Sequence, residues 1–257
     1  MSTIPGVRLA ASLVLVALAL TACGGSDSKD TTVSLSDARA KTTGAGSAKY
    51  TMAITADLGG TKVTADENGT VSFTKPRAHI YKLVPGSSVP REVIIDGPLT
   101  YTNGNVQAAL SDPTVRPWTK LDTRKLNATQ LAREPDERVH ALTPALLAAG
   151  VAKPTRVGKT DDGTTEFRGR VDPKRVLAAA PATARAGVAK TLRNDYSVKP
   201  FDARFWLDDQ GRVRRVLVDY TTDKGSRFTI DTAYSDFGTP VVRTLPPASE
   251  IEDISPK

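Results

Sequence analysis

The chain has 257 residues, a net charge of +7, 39% hydrophobic residues and 5% aromatic residues. This length suits one large domain or two small ones, and the hydrophobic content is sufficient for a folded core. The sequence has no compact block of Lys and Arg with interleaved aromatic residues, which argues against nucleic-acid binding. The basic charge instead favours contact with anionic lipid head groups or wall polymers.

The N-terminal residues carry the most specific pattern. Arg8 precedes an apolar run, 9–20, which has the length of a signal-peptide core and falls short of the about 20 residues of a membrane-spanning helix. The following Leu-Thr-Ala-Cys-Gly segment contains Cys23, the one cysteine of the sequence, and resembles a bacterial lipobox. The resemblance implies that residues 1–22 are a removed signal peptide. It also implies that Cys23 becomes an acylated N-terminus, anchored to the extracytoplasmic side of a cell membrane. A membrane-spanning anchor and a buried structural cysteine are the alternatives.

The next segment predicts a tether, a short helix and a series of antiparallel strands. Residues 23–32 are small, polar and charged, which is typical of a flexible tether. Ser34 predicts a helix start and Gly44 its end. From Ala48 apolar residues alternate with polar ones, and Gly59-Gly60 and Asn68-Gly69 predict tight turns. The predicted strands of this half are 48–58, 61–65, 70–74, 78–83, 92–96, 99–103 and 118–121.

The second half predicts a helical insertion followed by further strands. Thr143-Pro144 predicts a helix start with the proline in the first turn, and Gly150 closes it. Asp172-Pro173 repeats this pattern before a helix over 174–180, and a further helix is expected within 182–193. The predicted strands are 165–171, 201–207, 212–220 and 227–234. Strands on both sides of a helical insertion predict one α+β domain over 33–245, with a polar tail over 246–257.

Chemistry-bearing motifs are scarce. His79 and His140 lack a matched spacing of metal ligands, so structural or solvated roles are favoured over metal binding. The Asp pairs at 161–162 and 208–209 lie in predicted turns and lack the spacing of an EF-hand. The sequence shows no nucleophile elbow, phosphate loop or metalloprotease motif. We therefore expect a non-enzyme without cofactor or metal, and an envelope hydrolase is the remote alternative.

Several stretches resemble the LppX/LprAFG family of actinobacterial envelope lipoproteins. They are Pro117–Asp122, Phe205–Asp208, Gly211–Val216, Tyr234–Val241 and Pro246–Ala248. The family resembles LolA and LolB in fold. The resemblance therefore implies a strongly curved antiparallel sheet, a half-barrel, with short helices covering its concave face. It further implies a hydrophobic cavity that shields acyl chains of lipids or glycolipids during transfer through the envelope. We also expect a monomer, with any membrane transporter partner unknown.

Candidate site residues follow from this fold and from the strand alternation. The residues expected to face the cavity are Met52, Ile54, Val71, Phe73, Ile95, Tyr101, Phe205 and Leu207, with ordinary core packing as the alternative for each. Leu146, Leu147 and Leu177 are expected to form a lid. Lys82, Arg91 and Lys120 are candidates for head-group contact at the cavity mouth. The alternative function is an anchored non-catalytic interaction or sensory module.

Overall fold

The computed structural model describes residues 33–257 except positions 84, 88, 135, 223 and 224. Within these residues twelve strands form a single sheet. They are β1 (Ser47–Leu58), β2 (Thr61–Ser72), β3 (Arg77–Leu83), β4 (Arg91–Asp96), β5 (Leu99–Thr102), β6 (Trp118–Asp122), β7 (Thr155–Lys159), β8 (Thr165–Val171), β9 (Phe201–Leu207), β10 (Val213–Thr221), β11 (Arg227–Ser235) and β12 (Ile251–Asp253).

The sheet is curled and open. Its spatial order is β12-β6-β5-β4-β3-β2-β1-β11-β10-β9-β8-β7, so β12 and β7 form the two edges. The β12–β6 pair is parallel and the other pairs are antiparallel. The antiparallel α+β fold expected from the alternating strands is therefore confirmed.

Six α-helices accompany the sheet in the described part of the chain. They are α1 (Leu35–Gly44), α2 (Val106–Ser111), α3 (Ala128–Arg133), α4 (Glu137–Leu147), α5 (Pro173–Ala179) and α6 (Arg185–Asp195). Helices α1, α4, α5 and α6 each bury apolar side chains in the common core, against the concave face of the sheet. Among the described residues, Val33–Lys257 form one compact unit that contains this core and these strand pairs. Among the helices described, none has the length and apolar character needed to cross a bilayer.

The predicted start signals of α1 and α5 are present. The Ser34 side chain accepts a hydrogen bond from the backbone N–H of Ser36 at 3.3 Å. The Asp172 side chain accepts one from the N–H of Lys174 at 2.9 Å, with Pro173 in the first turn. Both contacts satisfy N–H groups that have no partner within the helix itself.

The predicted helix start at Thr143-Pro144 is wrong. Helix α4 begins at Glu137, and the Asp136 carboxylate caps it by accepting from the N–H of Val139 at 3.0 Å. Pro144 lies inside the helix. An interior proline removes one helical hydrogen bond and crowds the preceding turn. This cost is offset by burial, because every residue from Val139 to Leu147 is buried.

The predicted turn at Asn68-Gly69 is also wrong, because β2 continues through it. Gly69 lies between Tyr50 of β1 and Ile80 of β3. A Cβ atom at position 69 would lie 2.1 Å from the carbonyl oxygen of His79. The glycine therefore permits a close approach of two strand backbones rather than a change of chain direction.

The segment expected to be a polar tail contributes the edge strand β12. Lys120 of β6 forms an ion pair with Asp253 of β12, with 2.6 Å between Nζ and Oδ2. The Ser255 hydroxyl accepts from the backbone N–H of Asp122 at 2.8 Å. These polar contacts hold the segment on the sheet without adding it to the core.

Candidate functional site

A charged residue lies on the concave face, among the apolar side chains that pack against the helices. Glu67 pairs with Met52 of β1 and with Lys82 of β3. Directly opposed residues of neighbouring strands point to the same face of a sheet. Glu67 is only 3% exposed. Because a buried carboxylate without partners is costly, Glu67 needs compensating groups around it.

Side chains from four elements surround Glu67. The Tyr50 hydroxyl donates to Oε1 at 2.5 Å. Lys82 Nζ lies 3.3 Å from Oε2 of Glu67 and 3.0 Å from Oε2 of Glu137. His140 of α4 places Nδ1 3.4 Å from Oε2 of Glu67, and its Nε2 lies 3.8 Å from Oδ2 of Asp195 at the end of α6. We call these six residues the buried charge cluster: Tyr50, Glu67, Lys82, Glu137, His140 and Asp195.

The cluster favours the ionised forms of Glu67, His140 and Lys82, whereas burial raises the pKa values of Tyr50 and Asp195 and favours their neutral forms. Burial alone would raise the pKa of Glu67, but His140, Lys82 and the Tyr50 hydroxyl more than offset this and lower it to about 2. Burial alone would lower the pKa of His140, but the carboxylates of Glu67 and Asp195 raise it overall. The pKa of Lys82 is also raised, because Glu67 and Glu137 outweigh the effect of its burial. The cluster thus joins the sheet to α4 and α6 by attraction between opposite charges.

The same residues include a set that could ligate a metal ion. Ligand atoms of Glu67, Glu137 and His140 lie within 4.8 Å of one another. However, the Lys82 ammonium lies between the two carboxylates, in contact with both. It supplies the positive charge that a cation would bring, so the geometry fits an ion-pair network better than a metal centre.

An apolar cavity of about 600 Å³ lies beside α4. Its walls come from α4, the start of α6 and the segment before it, the connection between β2 and β3, and the end of α1. The lining residues are Thr43, Phe73, Thr74, Pro76, Arg138, Val139, Leu142, Leu146, Pro181, Thr183, Ala184 and Val188. This volume falls within the range of small-molecule sites, which are mostly apolar with a few polar groups.

Of the residues expected to line a cavity, Phe73 and Leu146 line the 600 Å³ cavity. The others lie elsewhere. The residues packed within the core between sheet and helices are Met52, Val71, Ile95, Leu147, Phe205 and Leu207, with Ile54 and Leu177 partly buried against it. Tyr101 pairs with Ile94 and therefore lies on the convex face, opposite Val93 and Ile95. A ligand contact remains a prediction for all of them.

The three candidate head-group cations occupy different environments. Lys82 belongs to the buried charge cluster. Lys120 pairs with Tyr101 across β5 and β6, so it lies on the convex face, bonded to Asp253. Arg91 is exposed at the start of β4, opposite Lys82. The structure does not bring the three side chains together at one mouth.

A second cavity, of about 890 Å³, lies where α6 joins β9. Tyr196, Phe201 and Tyr220 form part of its wall. Its rim is charged, and Arg227 is ion-paired to Asp219 across it. A charged rim suits water better than an acyl chain.

Comparison with known proteins reveals similarities of structure. No family model matches the chain, and no curated protein matches it in sequence. Among solved structures, the lipoprotein LppX of Mycobacterium tuberculosis is similar, with 14% identity and a TM-score of 0.45, over 81% of this chain and 97% of that one. A LolA superfamily protein of Nitrosomonas europaea is similar over 82% of this chain and 93% of its own, with 10% identity and a TM-score of 0.31. The MucA/MucB complex of Pseudomonas aeruginosa matches with 16% identity and a TM-score of 0.29, over 77% of this chain and 56% of that one.

These neighbours include the namesake of the family that the sequence resembles and a LolA superfamily protein. The curled sheet with short helices is seen in the strand order of the chain itself, as the sequence resemblance implies. At these low identities the likeness concerns fold alone, since one fold supports many functions.

The buried charge cluster is not apparent in the sequence. His140 stands there as an isolated histidine, and Glu67 lies between two predicted strands, next to the predicted turn at Asn68-Gly69. One signal was available, because continuing the alternation of β2 backwards from Val71 places Glu67 on the core face. The contact with α4 could not be predicted, since it depends on how a helix 70 residues later packs.

Proposed function

We propose that this protein is a membrane-anchored envelope lipoprotein that binds an acyl chain of a lipid or glycolipid in its apolar cavity, without catalysis, during lipid trafficking. The observation that carries this proposal is the 600 Å³ cavity beside α4, whose walls include Leu142, Leu146 and Val188. Burial of each CH₂ group in such a site contributes about 0.8 kcal/mol relative to water. A lipid in a bilayer is already buried, so the net gain on transfer is small, which suits a carrier.

The N-terminal sequence supports the location. Cys23 lies outside the described residues, and its role rests on the lipobox pattern that precedes the tether. Attachment of several acyl chains to one residue gives stable membrane binding, whereas a single chain is marginal. An anchor of this kind would hold the domain next to its lipid source.

Lipid extraction tests the proposal. Residues 24–257, which contain all described core residues, are purified from an actinobacterial host and analysed by native mass spectrometry and organic extraction. We expect bound lipid in the parent protein. Thr183→Trp, at an exposed position that lines the cavity, should reduce the bound lipid several-fold because the indole fills the entrance.

Ala182→Trp is the matched control. Ala182 is exposed and adjacent, and it does not line the cavity, so this variant should retain the lipid. A homogeneous lipid-free protein that takes up no envelope lipid would overturn the proposal.

One observation favours the alternative of an anchored interaction module. The space between the concave face and the helices is largely occupied by core side chains such as Met52, Phe205 and Leu147. The hydroxyl of Tyr234 also bonds directly to the carbonyl of Ala141 in α4, at 2.7 Å. A filled interior fits a module that binds another protein, and the absence of lipid in the extraction experiment would favour it.

A further inference from the structure

The apolar cavity has one cationic side chain in its wall. Arg138 is the second residue of α4 and lines the cavity together with Val139 and Leu142. It is partly buried. Among the described residues, no carboxylate forms an ion pair with its guanidinium, and no hydrogen bond from it is found.

The nearby acids are engaged elsewhere. Asp136 caps α4 by accepting from the N–H of Val139 at 3.0 Å. Glu137 contacts Lys82 at 3.0 Å, in the buried charge cluster. Burial lowers the pKa of Arg138, and the charge of Asp136 only partly compensates. A partly buried guanidinium without a bonded acceptor is unfavourable, and an anion delivered by a ligand would relieve that cost.

The cavity volume limits the size of the apolar part. One water molecule occupies about 30 Å³ in the liquid. By that measure 600 Å³ holds about twenty groups of methylene size. This is sufficient for one long acyl chain and insufficient for two such chains with a glycan.

We propose that the cavity binds single-chain amphiphiles with an anionic head group, and that Arg138 binds the anion. The inference rests on the proposed function and specifies its ligand class. The shared chemistry is one alkyl chain with a carboxylate or a phosphate, as in a fatty acid or a lysophospholipid. The guanidinium can donate two parallel hydrogen bonds to either group.

Three probes with the same twelve-carbon tail test the proposal: dodecanoate, dodecyl phosphate and dodecanol. Binding to delipidated residues 24–257 is measured by titration calorimetry below the micelle concentration of each probe. We expect the anions to bind about ten- to a hundredfold more tightly than dodecanol. The tighter of the two anions identifies the source as a fatty acid or as a phosphate-bearing lipid.

Variants assign the preference to Arg138. Arg138→Met should remove the anion preference, so that the anions and dodecanol bind with similar affinity, and Arg138→Lys should retain part of the preference. Arg133→Met is the matched control, because Arg133 is exposed on α3 and has the same charge outside the cavity. Thermal melting of each variant checks that it is folded.

The outcomes separate the two proposals. If dodecanol binds as tightly as the anions, or if the preference survives in Arg138→Met, this inference is wrong while acyl-chain binding stands. If none of the three probes binds, the proposed function fails and this inference fails with it.

Discussion

His140 of α4 faces Glu67 of β2 across the interface between the helices and the sheet, with 3.4 Å between Nδ1 and Oε2. Neither atom has a well-aligned hydrogen bond, although both are buried. The contact is therefore an attraction between charges, and it depends on His140 being protonated. On the other side of the ring, Asp195 lies 3.8 Å from Nε2, so one imidazolium links α4 to both the sheet and α6.

This link predicts a pH dependence of stability in the neutral range. The pKa of His140 is raised in the folded protein, because Glu67 and Asp195 outweigh the opposing effect of burial. A group with a raised folded pKa contributes stability below its unfolded pKa of about 6.5 and loses that contribution as the pH rises through the folded value. The free energy of unfolding should therefore fall above pH 6.5, by up to about 1.4 kcal/mol per pH unit.

Urea denaturation between about pH 6 and pH 9 measures this effect. The chain has two histidines, so the series is run in a His79→Gln background, which leaves His140 as the one histidine. Adding His140→Gln should make the free energy of unfolding nearly independent of pH over this range. An equal slope with and without His140 would show that the imidazolium does not hold the helices.

The ion pairs of Lys82 with Glu67 and Glu137 predict that substitutions at Lys82 and Glu67 have strongly non-additive effects on stability. Lys82→Met leaves the buried Glu67 and the partly buried Glu137 without their ammonium, and should lower the free energy of unfolding by about 3 kcal/mol. Glu67→Gln removes the carboxylate that needs the ammonium most, since Glu67 is 3% exposed. The double variant should therefore be less destabilised than the sum of the single variants by more than about 1 kcal/mol.

Denaturation of the four proteins of this cycle gives the coupling energy directly. Additive effects would mean that Lys82 and Glu67 act independently, contrary to their 3.3 Å contact.

Gly69 predicts a steric effect in the middle of β2. In Gly69→Ala the new Cβ would lie 2.1 Å from a backbone carbonyl, and a backbone atom cannot swing aside as a flexible side chain can. The strands must separate, so we expect a destabilisation above about 3 kcal/mol. Gly44→Ala, at the end of α1, is the control, because no atom lies within 4 Å of its new Cβ. Melting curves that move equally for both variants would contradict this explanation.

Local sequence patterns predict most of the strands well, but they do not predict how strands and helices pack against each other. The alternation from Ala48 to Leu58 suffices for β1, and its register follows from the adjacent turn at Gly59-Gly60. The predictions at Gly69 and Pro144 are wrong for the same reason. Each residue type has a strong local conformational preference, and at both positions packing overrides it. A glycine is favoured in turns, but here a neighbouring backbone occupies the place of its side chain. A proline is disfavoured inside helices, but here the helix around it is buried throughout.

The candidate site was less accessible to sequence reasoning. Its cavity is formed by segments separated by more than 100 residues, from Thr43 to Val188, and no short motif connects them. Arg138 has no pattern that distinguishes it from the other arginines of the chain. Its position became informative only when the structure placed it in an apolar wall and left it without a partner acid.

We expect Cys23 to attach the protein to a membrane without taking part in its folding. In a bacterial host with the lipoprotein pathway, the full chain should incorporate labelled palmitate and sediment with membranes. Cys23→Ser removes the sulfur that would be acylated. The variant should therefore incorporate no labelled palmitate and should no longer sediment with membranes. Stability should not change, because the core lies within Val33–Lys257. If the serine variant still incorporated palmitate, acylation would occur at another residue and the lipobox assignment would be wrong.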